Sequence, residues 1–237
     1  MHHIKLTEAD TLTHGRTQWG PGVRHEAKPG PIQFCSETTI HFYSGDTLQE
    51  ALALAVHMNP TQAAFIHPRA WVFEPEGEVV SSQTKSGCKA GTTVEEVPLP
   101  KATLEQRAEV AIRCALKVCS EARWVAWAEK WLSGEDRSED AAWAEWKAAV
   151  AVWSAAGAGM ELEEGWGSEE SWVAEAAAKA AKAADAAAWA LTWHATDNTE
   201  EWAGGWAADA VAAALHLDAD VEFTKIAVEV YYREAPQ

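Results

Sequence analysis

Val97-Pro-Leu-Pro-Lys-Ala-Thr-Leu-Glu-Gln106 is the stretch where the chain changes its grammar. Two prolines one residue apart stop any regular element on their N-terminal side. Thr103-Leu-Glu-Gln106 then has the Thr-x-x-Gln spacing of a capping box, which starts a helix. Leu104, Val110, Ala111, Cys114, Ala115 and Val118 make an apolar stripe behind it. Everything before this point reads as short strands and loops, and everything after it as helix.

Residues 1–100 hold eight of the nine prolines and seven of the nine histidines. Their apolar residues come in short runs bounded by turn formers, which predicts strands at Ile32–Cys35, Ala64–Ile66, Ala70–Phe73, Gly77–Val80 and Thr92–Val97. One helix is predicted over Thr47–Met58, capped by Asp46 or Thr47 and ended by Asn59-Pro60. The Gly- and Pro-rich stretch Gly15–Gly30 reads as an ordered loop around Trp19.

Residues 101–237 contain one proline, Pro236, and predict helices near 121–132, 138–157, 168–195, 197–216 and 221–233. Twelve of the fourteen tryptophans lie here. Trp124, Trp127 and Trp131 share one helix face, as do Trp143, Trp146 and Trp153, and Trp189 and Trp193. Alanines such as Ala176, Ala177 and Ala180 let helix axes approach closely, and indoles fill the gaps where the axes diverge. The expectation is an α+β protein: a small mixed strand/helix module over 1–100, followed by an Ala/Trp-rich helical bundle over 101–237. Trp166, Trp202 and Trp206, beside glycines, are the tryptophans placed for partial exposure.

Composition narrows the function classes. The net charge of −17, with −13 of it after residue 100, argues against a protein that grips phosphate backbones. No apolar run reaches the length of a bilayer span, and no basic segment with an apolar core opens the chain. A cytoplasmic protein is expected. Cys35, Cys88, Cys114 and Cys119 form no metal-binding pattern and read as reduced thiols, with a Cys35–Cys88 bridge or one reactive thiol as alternatives.

Thr17-Gln-Trp-Gly-Pro-Gly-Val23, Phe34-Cys35, Ile40-His-Phe-Tyr43, Pro68-Arg-Ala-Trp71, Lys89-Ala-Gly-Thr-Thr93, Glu105-Gln-Arg107 and Trp127-Ala-Glu-Lys-Trp-Leu132 carry a resemblance. The chain is similar to a group of phage and bacterial proteins that join a small N-terminal domain to Ala/Trp-rich helices. Where those proteins have Gly-Leu-His-Ala, this chain has Thr39-Ile-His-Phe42. The resemblance implies a prokaryotic or viral origin and brings no catalytic residues with it.

Three constellations bear on chemistry. Arg24, His25 and Arg69, with Trp19 in the same loop system, are the candidates for holding a small anion, although no phosphate-loop pattern is present. His14-Gly-Arg-Thr17 with His41, Tyr43 and Glu78 loosely resembles the His, Tyr and Glu of ADP-ribosyltransferases; the plain alternative is that His41 and Tyr43 pack under the Gly15–Gly30 loop. The histidines show no metal-ligand spacing, so neither metal nor cofactor is expected. Acids such as Glu139, Asp140, Glu169, Glu170, Glu200 and Glu201 fall at helix starts, where the dipole favours them, or form a negative face for a basic partner. The expected function is a non-enzymatic, phage-type accessory protein that sequesters a host partner, with a defence component as one such partner. The alternatives are a sponge for a small anionic, nucleotide-like signal and a nucleotide-acting enzyme. Binding to nucleic acid or membrane is not expected, and self-association through apolar helices stays open.

Overall fold

A computed structural model describes residues 1–13, 16–62, 65, 67–157, 173, 175–182, 197–217 and 222–233, with side chains for all of these except 60–62, 152–157 and 197–204. The fold is α+β. The strands are β1 (His2–Thr7), β2 (Leu12–Thr13), β3 (Thr17–Gln18), β4 (Val23–Glu26), β5 (Ile40–Gly45), β6 (Arg69–Ser81) and β7 (Ser86–Val97). The helices are α1 (Leu48–Gln62), α2 (Leu104–Val118), α3 (Ala122–Ser133), α4 (Glu139–Gly157), α5 (175–182), α6 (Asp197–Leu217) and α7 (Phe223–Tyr231). The chain forms two compact units, Met1–Lys101 with Ala227–Gln237, and Ala102–Ile226.

In the first unit five strands form an antiparallel sheet in the order β4-β7-β5-β1-β6, and β2 and β3 form a separate ribbon. The long β6–β7 hairpin pairs along most of its length, from Ala70↔Val97 to Ser81↔Ser86. β6 also pairs with β1, from Ile4↔Val72 to Thr7↔Arg69. The ring β7–β5–β1–β6 therefore closes on itself through the Arg69–Val72 end of β6. Alternation along β1 puts Ile4 and Leu6 on one face and His3, Lys5 and Thr7 on the other. On the second face His3 meets Phe42 edge-on, Lys5 lies over Trp19, and Thr7 accepts from the Trp71 indole N–H at 3.1 Å. Trp19, Ile40, Phe42, Phe73 and Cys88 form the adjoining buried cluster. Helix α1 packs on β5 and β1. His57 of α1, fully buried, hydrogen-bonds the Tyr231 hydroxyl, which fixes the C-terminal segment to this unit.

Gly91 shows why the hairpin needs a residue without a side chain there. A Cβ at this position would lie 2.3 Å from Phe73 Cζ and 2.7 Å from the Glu74 carbonyl. The phenyl ring crosses the strand where a methyl would stand.

Several sequence expectations change. Ile32–Cys35 is not a strand: its backbone is spent on side chains, the Gln33 amide on Thr39 Oγ1 and the Cys35 amide on His41 Nε2. Ala70–Phe73 and Gly77–Val80 are one strand, β6; its register breaks between Glu76 and Val79, where Gly77 has φ +79°, so this glycine marks an irregularity and not a strand end. Helix α1 continues through Asn59-Pro60 to Gln62. The strands β1, β4 and β5 were not anticipated. Ala64–Ile66 lies outside the described residues except for Phe65.

In the second unit Thr103 caps α2 through the full box with Gln106. Glu121 caps α3 by accepting from the Arg123 and Trp124 amides, and Gly134 ends it in the left-handed region. Trp124, Trp127 and Trp131 are buried, and the Trp124 indole donates to the Ala177 carbonyl at 3.3 Å. Helix α2 packs on α6. The second tryptophan row behaves differently. Trp143 is 39% exposed, and its ring and those of Trp146 and Trp206 surround Lys182 Nζ at 4.3, 4.7 and 5.1 Å. These indole faces serve a cation and not an apolar seam. Of the helix expected over 168–195, residues 173 and 175–182 are helical and the rest lies outside the described residues, as do Trp166, Trp189 and Trp193 and the side chains of Trp153 and Trp202.

Candidate functional site

A cleft of about 760 Å3 opens in the first unit, with walls from β1, β4, β5 and the segment between β4 and β5. Four of the six residues expected to bind a ligand line it: Trp19, His25, His41 and Tyr43. Trp19 is 3% exposed and gives its indole N–H to Thr13 Oγ1 at 3.0 Å, so it is a wall and not a mobile stacking ring. His25 stands edge-on to Trp19, with centroids 4.6 Å apart, and donates from Nε2 to the Gln18 carbonyl. His41 stacks on Phe34, and its Nε2 accepts from the Cys35 amide at 3.1 Å, a role open only to a neutral imidazole.

Tyr43 is 5% exposed, and its hydroxyl makes no hydrogen bond among the described residues. Burial holds this phenol protonated well above its ordinary range, so it meets a ligand as an O–H donor.

The two arginines expected to hold an anion do not line the cleft. Arg24 binds both Glu76 oxygens through Nε and Nη2 at 2.8–3.1 Å, and Arg69 binds Glu96 in the same forked way. Each pairing lowers its carboxylate's pKa and takes the Nε/Nη2 edge of the guanidinium, the edge a bidentate anion would use. The cations that do line the cleft are Lys5, Lys28 and Lys85. Lys28 is paired with Glu37. Lys85 donates to Cys35 Sγ at 3.1 Å and lies 5.5 Å from the Phe34 ring centroid.

Lys5 has no carboxylate partner among the described residues. Its Nζ donates to the His41 carbonyl at 2.8 Å and sits 5.3 Å from the centre of the Trp19 ring. Desolvation brings its pKa down to about 8, opposed by the neighbouring Cys88, and burial raises the Cys88 thiol to about 11. Nothing in composition singled out Lys5. The only signal was alternation in His3-Ile-Lys-Leu-Thr7, which becomes informative once the ring of strands is closed.

All four cysteines are free thiols; Cys88, Cys114 and Cys119 are buried, and Cys35 is exposed at the cleft with φ +62°. The Cys35–Cys88 bridge considered from sequence is not formed. Among the described residues no group of three or more His, Cys, Asp or Glu side chains gathers to hold a metal ion, and no helix is long and apolar enough to cross a membrane. Comparison with protein-family models, with curated proteins and with solved structures finds no match to this chain.

Proposed function

We propose that the first unit is a binding module that takes up a small anionic molecule in the Lys5–Tyr43 cleft, sequestering it without turnover. The observation that carries this reading is the Lys5 ammonium: a desolvated cation, facing a cleft of ligand size, with a carbonyl as its hydrogen-bond partner and no carboxylate among the described residues. Such a charge costs free energy until an anion joins it. Tyr43 adds a neutral donor and Lys85 a second cation, and the buried Trp19 and Phe42 side chains back the cleft with apolar packing. This chemistry favours the sponge reading, with nucleotide-like anions as the first ligands to try.

The test is a thermal-shift and calorimetric panel of mono- and dinucleotides and other small carboxylates and phosphates. Binding is expected to weaken about tenfold in Lys85→Ala and to stay within twofold in Arg24→Ala. A panel without any binder refutes the reading.

The second unit supports a separate reading, in which an Ala/Trp-packed bundle engages a basic protein partner and keeps it from its own task. The observation behind it is the exposed indole of Trp143, close in sequence to the exposed acids Glu139 and Asp140. A host component expected to be held this way would be released by Trp143→Ala and by salt above about 0.3 M.

A further inference from the structure

The cleft carries a more specific chemistry than charge. We infer that Lys5 is a carbonyl-capturing amine, and that the ligand class of the cleft is small aldehydes or ketones bearing an anionic group. This rests on the binding reading above and names its substrate class.

Three geometric facts converge on Lys5. Its side chain leaves β1 half-buried, on the face of Trp19, Phe42 and Cys88, with its ammonium over the Trp19 ring. Its nitrogen keeps one N–H on the His41 carbonyl at 2.8 Å, which fixes where the remaining valences point. It lines the same cleft as Tyr43, whose hydroxyl is unbonded among the described residues, and Lys85, a cation placed for an anionic substituent. The desolvation that confines this amine also frees its lone pair. Titrating near 8, it is about 10% neutral at pH 7, roughly 300 times the neutral share of a lysine at the ordinary value of 10.5.

The step balances without any outside reagent. Neutral Nζ adds to the carbonyl carbon and gives a carbinolamine; loss of water then gives an imine, so the amine's two hydrogens and the carbonyl oxygen leave together as H2O. No electrons change hands. Protonation of the imine leaves one N–H, which keeps the bond to the His41 carbonyl. A captured ligand is therefore held by the same contact that positions the free lysine.

The experiment uses the full chain, at pH 7 and then across pH 6 to about 10.5, with glyoxylate as the anionic aldehyde and propionaldehyde as its neutral counterpart. Cyanoborohydride reduces the imine to a stable secondary amine, and peptide mass spectrometry compares Lys5 with the other ten lysines of the chain. The expected result is Lys5 labelling at least tenfold faster than the median of the others. Its rate should level off with a midpoint near pH 8 while the others keep rising beyond pH 9.5. The ratio of glyoxylate to propionaldehyde labelling should be several-fold higher at Lys5 than at the other lysines, and Lys85→Ala should remove that excess. Labelling of Lys5 at or below the median, or a midpoint at 10 or higher, overturns the inference. If calorimetry then still shows reversible binding of small anions, only the carbonyl chemistry falls. If no binding is seen either, the binding reading falls with it.

Discussion

Replacing Lys5 by methionine tests the buried amine directly. The methionine chain has nearly the same reach and loses only the charge and the donor. For a lysine brought from 10.5 to about 8, the charged form is disfavoured in the folded state by about 3 kcal/mol. Below pH 8 both folded and unfolded chains carry the proton, and the folded state bears the whole cost. Between pH 8 and 10.5 the folded state releases its proton first, so stability rises with pH and the cost is gone at the upper end. Lys5→Met removes that cost but also deprives the His41 carbonyl of its Nζ donor, a loss of about 1 kcal/mol. The variant is therefore expected to be about 2 kcal/mol more stable than the natural chain at pH 7 and about 1 kcal/mol less stable at pH 10.5. Cys88 runs the other way, since a raised thiol pKa makes the folded state lose stability as pH climbs through 9 to 11, and Tyr43 does the same at higher pH. The Tyr43 contribution cancels in the difference between the two proteins, and the Cys88 contribution cancels only in part, because the Lys5 charge itself holds that thiol's pKa down. Urea unfolding followed by 19F resonances of 5-fluorotryptophan gives the readout, because Trp71 donates to Thr7 within this unit and reports its opening. A difference that stays flat from pH 8 to 10.5, or a variant that is weaker at pH 7, refutes the account of Lys5 as a desolvated amine.

Gly91→Ala should cost about 2–3 kcal/mol in the same assay, because the added methyl meets both the Phe73 ring and the immobile Glu74 carbonyl; a cost under about 0.5 kcal/mol would mean the hairpin is not packed as described. Iodoacetamide on the native protein should label Cys35 while Cys88, Cys114 and Cys119 react only after denaturant is added, which intact-mass counting resolves as one adduct and then four. Thr103→Ala should lower the stability of the second unit by about 1 kcal/mol in urea by removing the hydroxyl that accepts from Gln106, and Thr103→Ser should restore it.

What could be read from the sequence follows how local each determinant is. The start of α2 was legible because Thr103 and Gln106 satisfy each other's amides within four residues. The end of α3 at Gly134 was legible for the same reason, since a left-handed residue after a helix needs no tertiary partner. The row Trp124, Trp127, Trp131 was legible as buried, but the row with Trp143 and Trp146 was not. Identical spacing fixes a shared face and says nothing about what covers it, and here part of the cover is Lys182, some 40 positions away. Strands β1 and β5 were missed because each draws its stability from partners distant in sequence, as in Ile4↔Tyr43 and Ile4↔Val72.

The binding residues divide along the same line. Trp19, His25, His41 and Tyr43 line the cleft from the segment after β3 and from strands β4 and β5. Arg24 and Arg69 were reasonable anion ligands as isolated guanidinium groups, yet the carboxylates that occupy them, Glu76 across β7 from β4 and Glu96 on the strand paired with β6, become visible only with the register. Lys5 inverts that case. In sequence it is an ordinary polar residue between two apolar ones. Closure of β6 onto both β1 and β7 gives β1 a half-buried second face, and the lysine on it donates to the His41 carbonyl, where Lys28 pairs with Glu37 and Lys85 donates to Cys35. A methionine there would satisfy the packing at lower cost, as the pH argument shows. The fold alone therefore gives no reason for an amine at this position, whereas a ligand that needs a desolvated cation, or a nucleophilic nitrogen, does.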